Sequence, residues 1–224
     1  MSQRAAAKAP DYLNPSVPPG LPVLEMPVIV ATEASLAGYG ALVDNPKDYP
    51  IEIVTWPAAG SRGVDEGTGN QGGIAEGIFE FWWKGDVLWG RNNAVEDTYV
   101  MGWSCDPNDA NEENAAARRD QVFLWHANYH PDGGQLFHST DGTPFMVPLA
   151  LPGDDVKPSD FICFYCDGTR GVYIHPNIWH EGVFPIGDGG RFYDRQGKVH
   201  ARVSVNFAEE FGTLLRAPLV IPGR

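Results

Sequence analysis

Four of the six histidines stand in two short stretches. One is His126-Ala127-Asn128-Tyr129-His130-Pro131-Asp132-Gly133-Gly134-Gln135, and the other is Gly171-Val172-Tyr173-Ile174-His175-Pro176-Asn177-Ile178-Trp179-His180. Imidazole titrates near neutral pH, so a group of histidines suits proton transfer or metal ligation. Side chains alternate faces along a strand. His126, Asn128 and His130 therefore share one face, against Trp125, Ala127 and Tyr129 on the other. By the same rule Tyr173 pairs with His175, and Arg202, Ser204 and Asn206 stand together against Val203 and Val205. A polar ladder backed by apolar residues suits a barrel whose lumen holds a polar site. If the two stretches meet, His130 or His180 is the candidate for proton transfer, with Gln135 and the backbone near Gly171 orienting a ligand. Arg202 is a candidate carboxylate clamp, since guanidinium pairs with carboxylate through two parallel bonds. Arg170 is its rival for that role, or an exposed turn residue. Taken singly, each histidine is better read as a hydrogen-bonded core residue.

The elements that must bring these residues together read as strands. Gly 26 and Pro 19 make up about a fifth of the 224 residues, which favours turns over long helices. From Gln121 onward, short apolar runs alternate with turns such as Asp132-Gly133-Gly134, Asp141-Gly142 and Gly187-Asp188-Gly189-Gly190. That spacing indicates an all-β sandwich or barrel. Leu21 to Ala31 reads as a strand broken by Pro27, and Ile51 to Trp56 as a strand. Thr32 to Gly40 reads as a short helix capped by Thr32. Ile78 to Trp89 reads as one aromatic strand buried on both faces or at a subunit interface, and Ala201 to Phe207 as the last clear strand. Residues 1–20 are expected to form a loose or docking arm, and 21–224 one domain. The Gly-rich stretch 57–77 lacks the register of a phosphate-binding loop; a surface loop is expected there, with a lid as the minority reading. Residues 106–120 read as an acidic surface insertion.

The net charge of −13 argues against nucleic acid and anionic membranes as partners. It leaves a small acid as substrate possible, because a local cation outweighs a distant field. Three cysteines give no even disulfide framework, and Cys163 and Cys166 read as structural thiols of a reducing compartment. With no apolar leader and no apolar run long enough to span a membrane, a cytoplasmic protein is expected.

The spacing Asn128-x-His130-x4-Gln135-x6-Gly142 resembles the first metal-binding motif of cupins, and Pro176 with His180 resembles the end of the second. The resemblance implies His126, His130, His175 and His180 as candidate ligands of a divalent transition metal. Asn128 and Gln135, standing where the motif has a histidine and a carboxylate, are poor ligands. More specifically, His130-Pro131-x-Gly133-Gly134-Gln135 followed by Gly171-Val172-Tyr173-x-His175-x-x-x-Trp179-His180 resembles the ureidoglycolate lyases, cupin-like enzymes of allantoin breakdown.

That resemblance implies a cupin-like double-stranded β-helix or jelly-roll barrel with a few short helices, and a homodimer. It also implies a lyase that releases urea from ureidoglycolate, or a related elimination on a small 2-hydroxy acid. Catalysis would fall to His130, His180, Gln135 and His175, with Asn128, Tyr173, Arg202, Ser204 and Asn206 holding substrate. The sequence departs from the family in four places. Asn128 stands where a Glu is common, Glu181 where a second His follows the Trp, Asn206-Phe207 where an Asp-Arg pair falls, and Ile174 separates the Tyr from its His. Two other readings stay open: a metal-dependent cupin enzyme (isomerase, epimerase or dioxygenase) on another small acid or sugar, and a non-catalytic ligand-binding protein.

Overall fold

The computed structural model describes residues 8–54, 62–69, 73–198 and 201–223. Pro27 divides the first apolar run into Val23–Glu25 (β1) and Val28–Val30 (β2), because proline cannot donate within a ladder. The next strands are Gly40–Val43 (β3), Ile74–Lys84 (β4), Val87–Asn92 (β5), Asp97–Trp103 (β6), Gln121–Leu124 (β7) and His126–Tyr129 (β8). Then come Gln135–Ser139 (β9), Phe145–Ala150 (β10), Ile162–Cys166 (β11), Gly171–Ile174 (β12), Trp179–His180 (β13) and Phe184–Pro185 (β14). The chain closes with Gly189–Gly197 (β15), Val203–Asn206 (β16), a helix Phe207–Phe211 (α1) and Leu214–Pro218 (β17).

Two sheets form. One runs β1-β17-β7-β6-β5-β4-β15-β9-β12-β3, and the other β16-β8-β13-β10-β11-β2, with β14 also on β10. Both contribute to one apolar core, in which Phe79, Phe137 and Phe192 of the first sheet share a cluster with Phe145, Phe164 and Trp179 of the second. This is the expected all-β, cupin-like architecture. Cys163 and Cys166 are free thiols of that core, and burial pushes both well above the usual thiol range. No helix among the described residues is long and apolar enough to cross a membrane.

Four local expectations are corrected. Thr32 and Ser35 form the reciprocal capping bonds, Ser35 N to Thr32 Oγ1 at 3.0 Å and Thr32 N to Ser35 Oγ at 2.8 Å. Only turns follow, and the cap closes on Gly40, whose Cβ position lies 1.8 Å from Tyr173 O. The aromatic run 78–89 is not one strand but the hairpin β4–β5. It reverses at Gly85, where φ is +56° and a side chain would meet Asn111 O at 2.0 Å. The polar residues needed for that turn are only two, so the apolar pattern runs through it. Ile51 to Val54 makes a single bridge, Ile53 to Gly133, instead of a strand; residues 55 and 56 lie outside the described residues. The last strand is β17, not β16; it pairs with both β1 and β7, and its Pro218 hides the pattern.

The first stretch of the N-terminal arm lies outside the described residues, but residues 12–21 are docked. Tyr12 O accepts from Val100 N at 2.8 Å, and Tyr12, Val17 and Leu21 pack on a small cluster around Trp103 and Trp125.

Candidate active site

The two histidine stretches meet as neighbouring strands. His180 of β13 lies opposite Asn128 of β8, and Asn177 N donates to His130 O at 2.9 Å. Asn177 accepts a φ of +68° to make that contact, a conformation asparagine tolerates better than most residues. The His130 and His180 rings are 5.1 Å apart, and each Nε2 lies 3.2 Å from Gln135 Oε1. Their Nδ1 atoms face backbone carbonyls, Ala201 O at 3.0 Å and Ile178 O at 2.7 Å. Burial pushes the His180 ring below the usual 6.5. Asp132, the acidic residue of the first stretch, accepts from Ala201 N at 2.6 Å and so fixes the backbone beside Arg202.

Behind Gln135 sits Asp194, fully buried on β15. Its hydrogen-bond partners among the described residues are three amides: Gln135 at 2.8 Å, Asn92 at 3.0 Å and Gln196 at 3.0 Å. Burial pushes its pKa up to about 6, against the three hydrogen bonds that lower it.

On the other side runs a chain of polar groups. Glu181 Oε2 lies 2.6 Å from His126 Nδ1, and His126 Nε2 lies 3.0 Å from Ser204 Oγ. Ser204 in turn donates to Asp65 Oδ2 at 2.5 Å. Tyr12 Oη is 3.3 Å from both His126 Nε2 and Ser204 Oγ. Two carboxylates are thus joined through an imidazole and a hydroxyl, a route along which a proton can move. Asp65 comes from the Gly-rich stretch, which is tied down where its N donates to Arg202 O at 2.8 Å and Thr68 Oγ1 accepts from Arg202 N at 3.0 Å. Burial raises the Asp65 pKa, while Ser204, Arg202 and His126 oppose that rise.

These groups surround one cavity of about 40 Å³, whose polar wall includes Asn128, His130, Gln135, His180, Glu181 and Arg202; Tyr12, Tyr99, Asn92 and Gln196 also line it, with Phe79 and Phe137. The Arg202 guanidinium lies over the Tyr12 ring at 4.5 Å and turns Nε toward Asp65 at 3.4 Å. Its outer nitrogens make no hydrogen bond among the described residues. Two amide oxygens of the wall, Asn128 Oδ1 and Gln196 Oε1, are buried without a partner there. Burial raises the Tyr12 and Tyr99 hydroxyls far above their usual range, so both are donors at neutral pH.

Several residues put forward by the sequence stand elsewhere. Tyr173 and His175 pair with each other, ring centroids 5.4 Å apart. Tyr173 belongs to a separate cluster, where its Oη accepts from Glu52 N at 3.0 Å. Gly134 lies so close that a Cβ there would fall 2.1 Å from Tyr173 Oη; the Tyr and the Gly of the two stretches are packing partners. Asn206 caps α1, accepting from Ala208 N and Glu209 N. Gly171 packs against Phe137 O, and Arg170 pairs with Glu33 at the surface. The four histidines proposed for a metal do not converge. His175 is outside the cavity, both His126 nitrogens have partners, and no group of three His, Cys, Asp or Glu among the described residues could hold an ion. Among the described residues, these donors do not form a transition-metal site.

Tyr12, Asp65, Asp194, Gln196 and Glu181 belong to the site beyond the residues expected from the sequence. Glu181 was legible as an odd residue beside the Trp-His pair. Tyr12, Asp65 and Asp194 reach the site through long-range contacts and carried no local signal.

Residues 101–211 match the ureidoglycolate lyase family. The chain is similar to the ureidoglycolate lyase of Azotobacter vinelandii, 33% identical over 40% of this chain and 55% of the relative. It is similar to that of Rhodobacter capsulatus, 43% identical over 28% of this chain and 38% of the relative. The enzyme of Stutzerimonas stutzeri is 34% identical over 38% of this chain and 52% of its own length. The chain thus spans about half the length, or less, of the curated relatives it matches. The matched region holds the two histidine stretches, Glu181, Asp194, Gln196 and Arg202. Tyr12, Asp65 and Asn92 lie before it.

Proposed function

We propose that this chain, with its ureidoglycolate-lyase-type region over residues 101–211, releases urea from ureidoglycolate and leaves glyoxylate. The observation that carries the reading is the pairing, in one cavity, of a guanidinium whose outer nitrogens make no hydrogen bond among the described residues and a carboxylate backed by imidazole.

Ureidoglycolate carries a hydroxyl, a ureido nitrogen and a carboxylate on one carbon. Arg202 holds the carboxylate through its outer nitrogens, which keeps the reacting carbon beside Glu181. Glu181 takes the hydroxyl proton, the oxygen forms the carbonyl, and the carbon–nitrogen bond breaks toward the ureido nitrogen. The proton then passes from Glu181 to that nitrogen, so atoms and charge balance with one acid-base group. His126 holds Glu181 in place, and Ser204, bonded to Asp65, holds His126. His180, kept neutral at neutral pH by burial, and His130 form the opposite wall with Gln135. No step is routed through a metal.

The test is glyoxylate and urea release from ureidoglycolate by the full chain and by Arg202→Met. Wild type releases both products in equal amounts. Loss of about two charge-assisted bonds lowers kcat/KM of the variant by roughly 10²- to 10³-fold. No release by folded wild type, or an Arg202→Met variant as active as wild type, refutes the reading.

A further inference from the structure

Gln196 and Asn128 have no part in the elimination as written, yet both line the cavity and carry a buried amide oxygen without a partner among the described residues. For Gln196 the amide direction is fixed through Asn92 and Asp194. Asn92 Oδ1 accepts from Ala94 N at 2.9 Å, so its Nδ2 must be the group that faces Asp194. Asp194, holding a carboxylate that only accepts when ionised, takes that Nδ2 and the Gln196 Nε2 on the same oxygen. Gln196 has no freedom left: its nitrogen donates to Asp194, and its oxygen, in a residue of the cavity wall, has no partner among the described residues. An acceptor held this way, 1% exposed, is destabilising unless something donates to it. Asn128 stands across the cavity on β8, with its own oxygen in the same condition.

We infer that Gln196 Oε1, with Asn128 Oδ1, forms a subsite for the N–H groups of a ureido ligand and determines the specificity of the site. The inference rests on the proposed function and deepens it, because it selects ureido acids over other small 2-hydroxy acids. A site with unpaired acceptors discriminates strongly against a ligand that lacks the matching donors. Arg202 reads the carboxylate in any small acid; the two amides read the nitrogens.

The experiment compares two unreactive ligands of one shape by calorimetry. Hydantoate carries a ureido group and a carboxylate. In 4-oxopentanoate, CH2 and CH3 replace NH and NH2. Wild type is expected to bind hydantoate at least about tenfold tighter, the worth of one or two hydrogen bonds. In Gln196→Leu that preference falls to within about twofold, with 4-oxopentanoate binding little changed; Asn128→Ala moves it the same way. A general loosening of the site weakens both ligands alike, so the ratio separates recognition from packing, and Gln196→Met serves if the Leu variant does not fold. A Gln196 variant that binds both ligands and keeps the full hydantoate preference overturns this assignment and leaves the proposed function standing. Failure of wild type to bind either acid overturns both.

Discussion

Replacing Asp194 with Asn tests the electrostatics of the site through stability alone. Asp194 is fully buried, its partners among the described residues are amides, and burial raises its pKa from 3.8 to about 6. A carboxyl whose pKa is raised on folding binds its proton more tightly in the native state. Its contribution therefore destabilises the fold above that raised pKa and is relieved as pH falls toward the unfolded value. The shift of about two units corresponds to about 3 kcal/mol when fully relieved, and about 2 kcal/mol between roughly pH 7 and pH 4.5. Asn accepts the same place because Gln135 can turn its amide to meet the new donor, and Asn does not titrate. Asp86, Asp106, Asp141 and Asp167 have lowered pKa values through their hydrogen bonds, and they weaken both proteins alike on acidification. Urea melts of wild type and Asp194→Asn at the two pH values isolate the difference. Wild type should gain about 2 kcal/mol relative to the variant at the lower pH. A constant difference, or one that moves the other way, would show that Asp194 is not a buried anion at neutral pH.

Glu181→Gln removes the base and leaves an amide of the same shape; glyoxylate release should fall roughly 10²- to 10⁴-fold with hydantoate binding kept within a few-fold, and full activity would exclude Glu181 from proton transfer. Tyr12→Ala should open the cavity wall, since Tyr12 is carried by the docked arm and covers Arg202; KM should rise severalfold while Tyr12→Phe, which keeps the ring, stays near wild type. Asn206→Ala should cost about 1 kcal/mol through loss of the α1 cap, read by urea melts, with kcat unchanged. Exhaustive dialysis against EDTA should leave glyoxylate release intact, and activity restored only by an added divalent cation would contradict the donor geometry.

Much of the architecture was legible locally. Alternation along His126–Tyr129 and the spaced Gly, Asp and Pro turns were enough for an all-β chain, because side-chain period and turn chemistry act over a few residues. The same local rule misread 78–89, since a two-residue reversal at Gly85-Asp86 leaves the aromatic pattern unbroken. Resemblance to a family carried the meeting of the two histidine stretches, and the β8–β13 pairing agrees with it. It also implied a place in the site for Tyr173, His175 and Asn206, which the fold spends on packing and on a helix cap.

The sequence by itself determined the class of fold, the two histidine stretches, and Arg202 as a candidate clamp, all of which rest on residue type and near spacing. Only the tertiary structure decided which groups face one another. Glu181 meets His126 across 55 residues, Asp65 meets Ser204 across 139, and Tyr12 reaches Ser204 across 192. Hydrogen bonds and desolvation act over a few ångströms in space, and a linear pattern carries no record of which distant residues the sheets will bring that close.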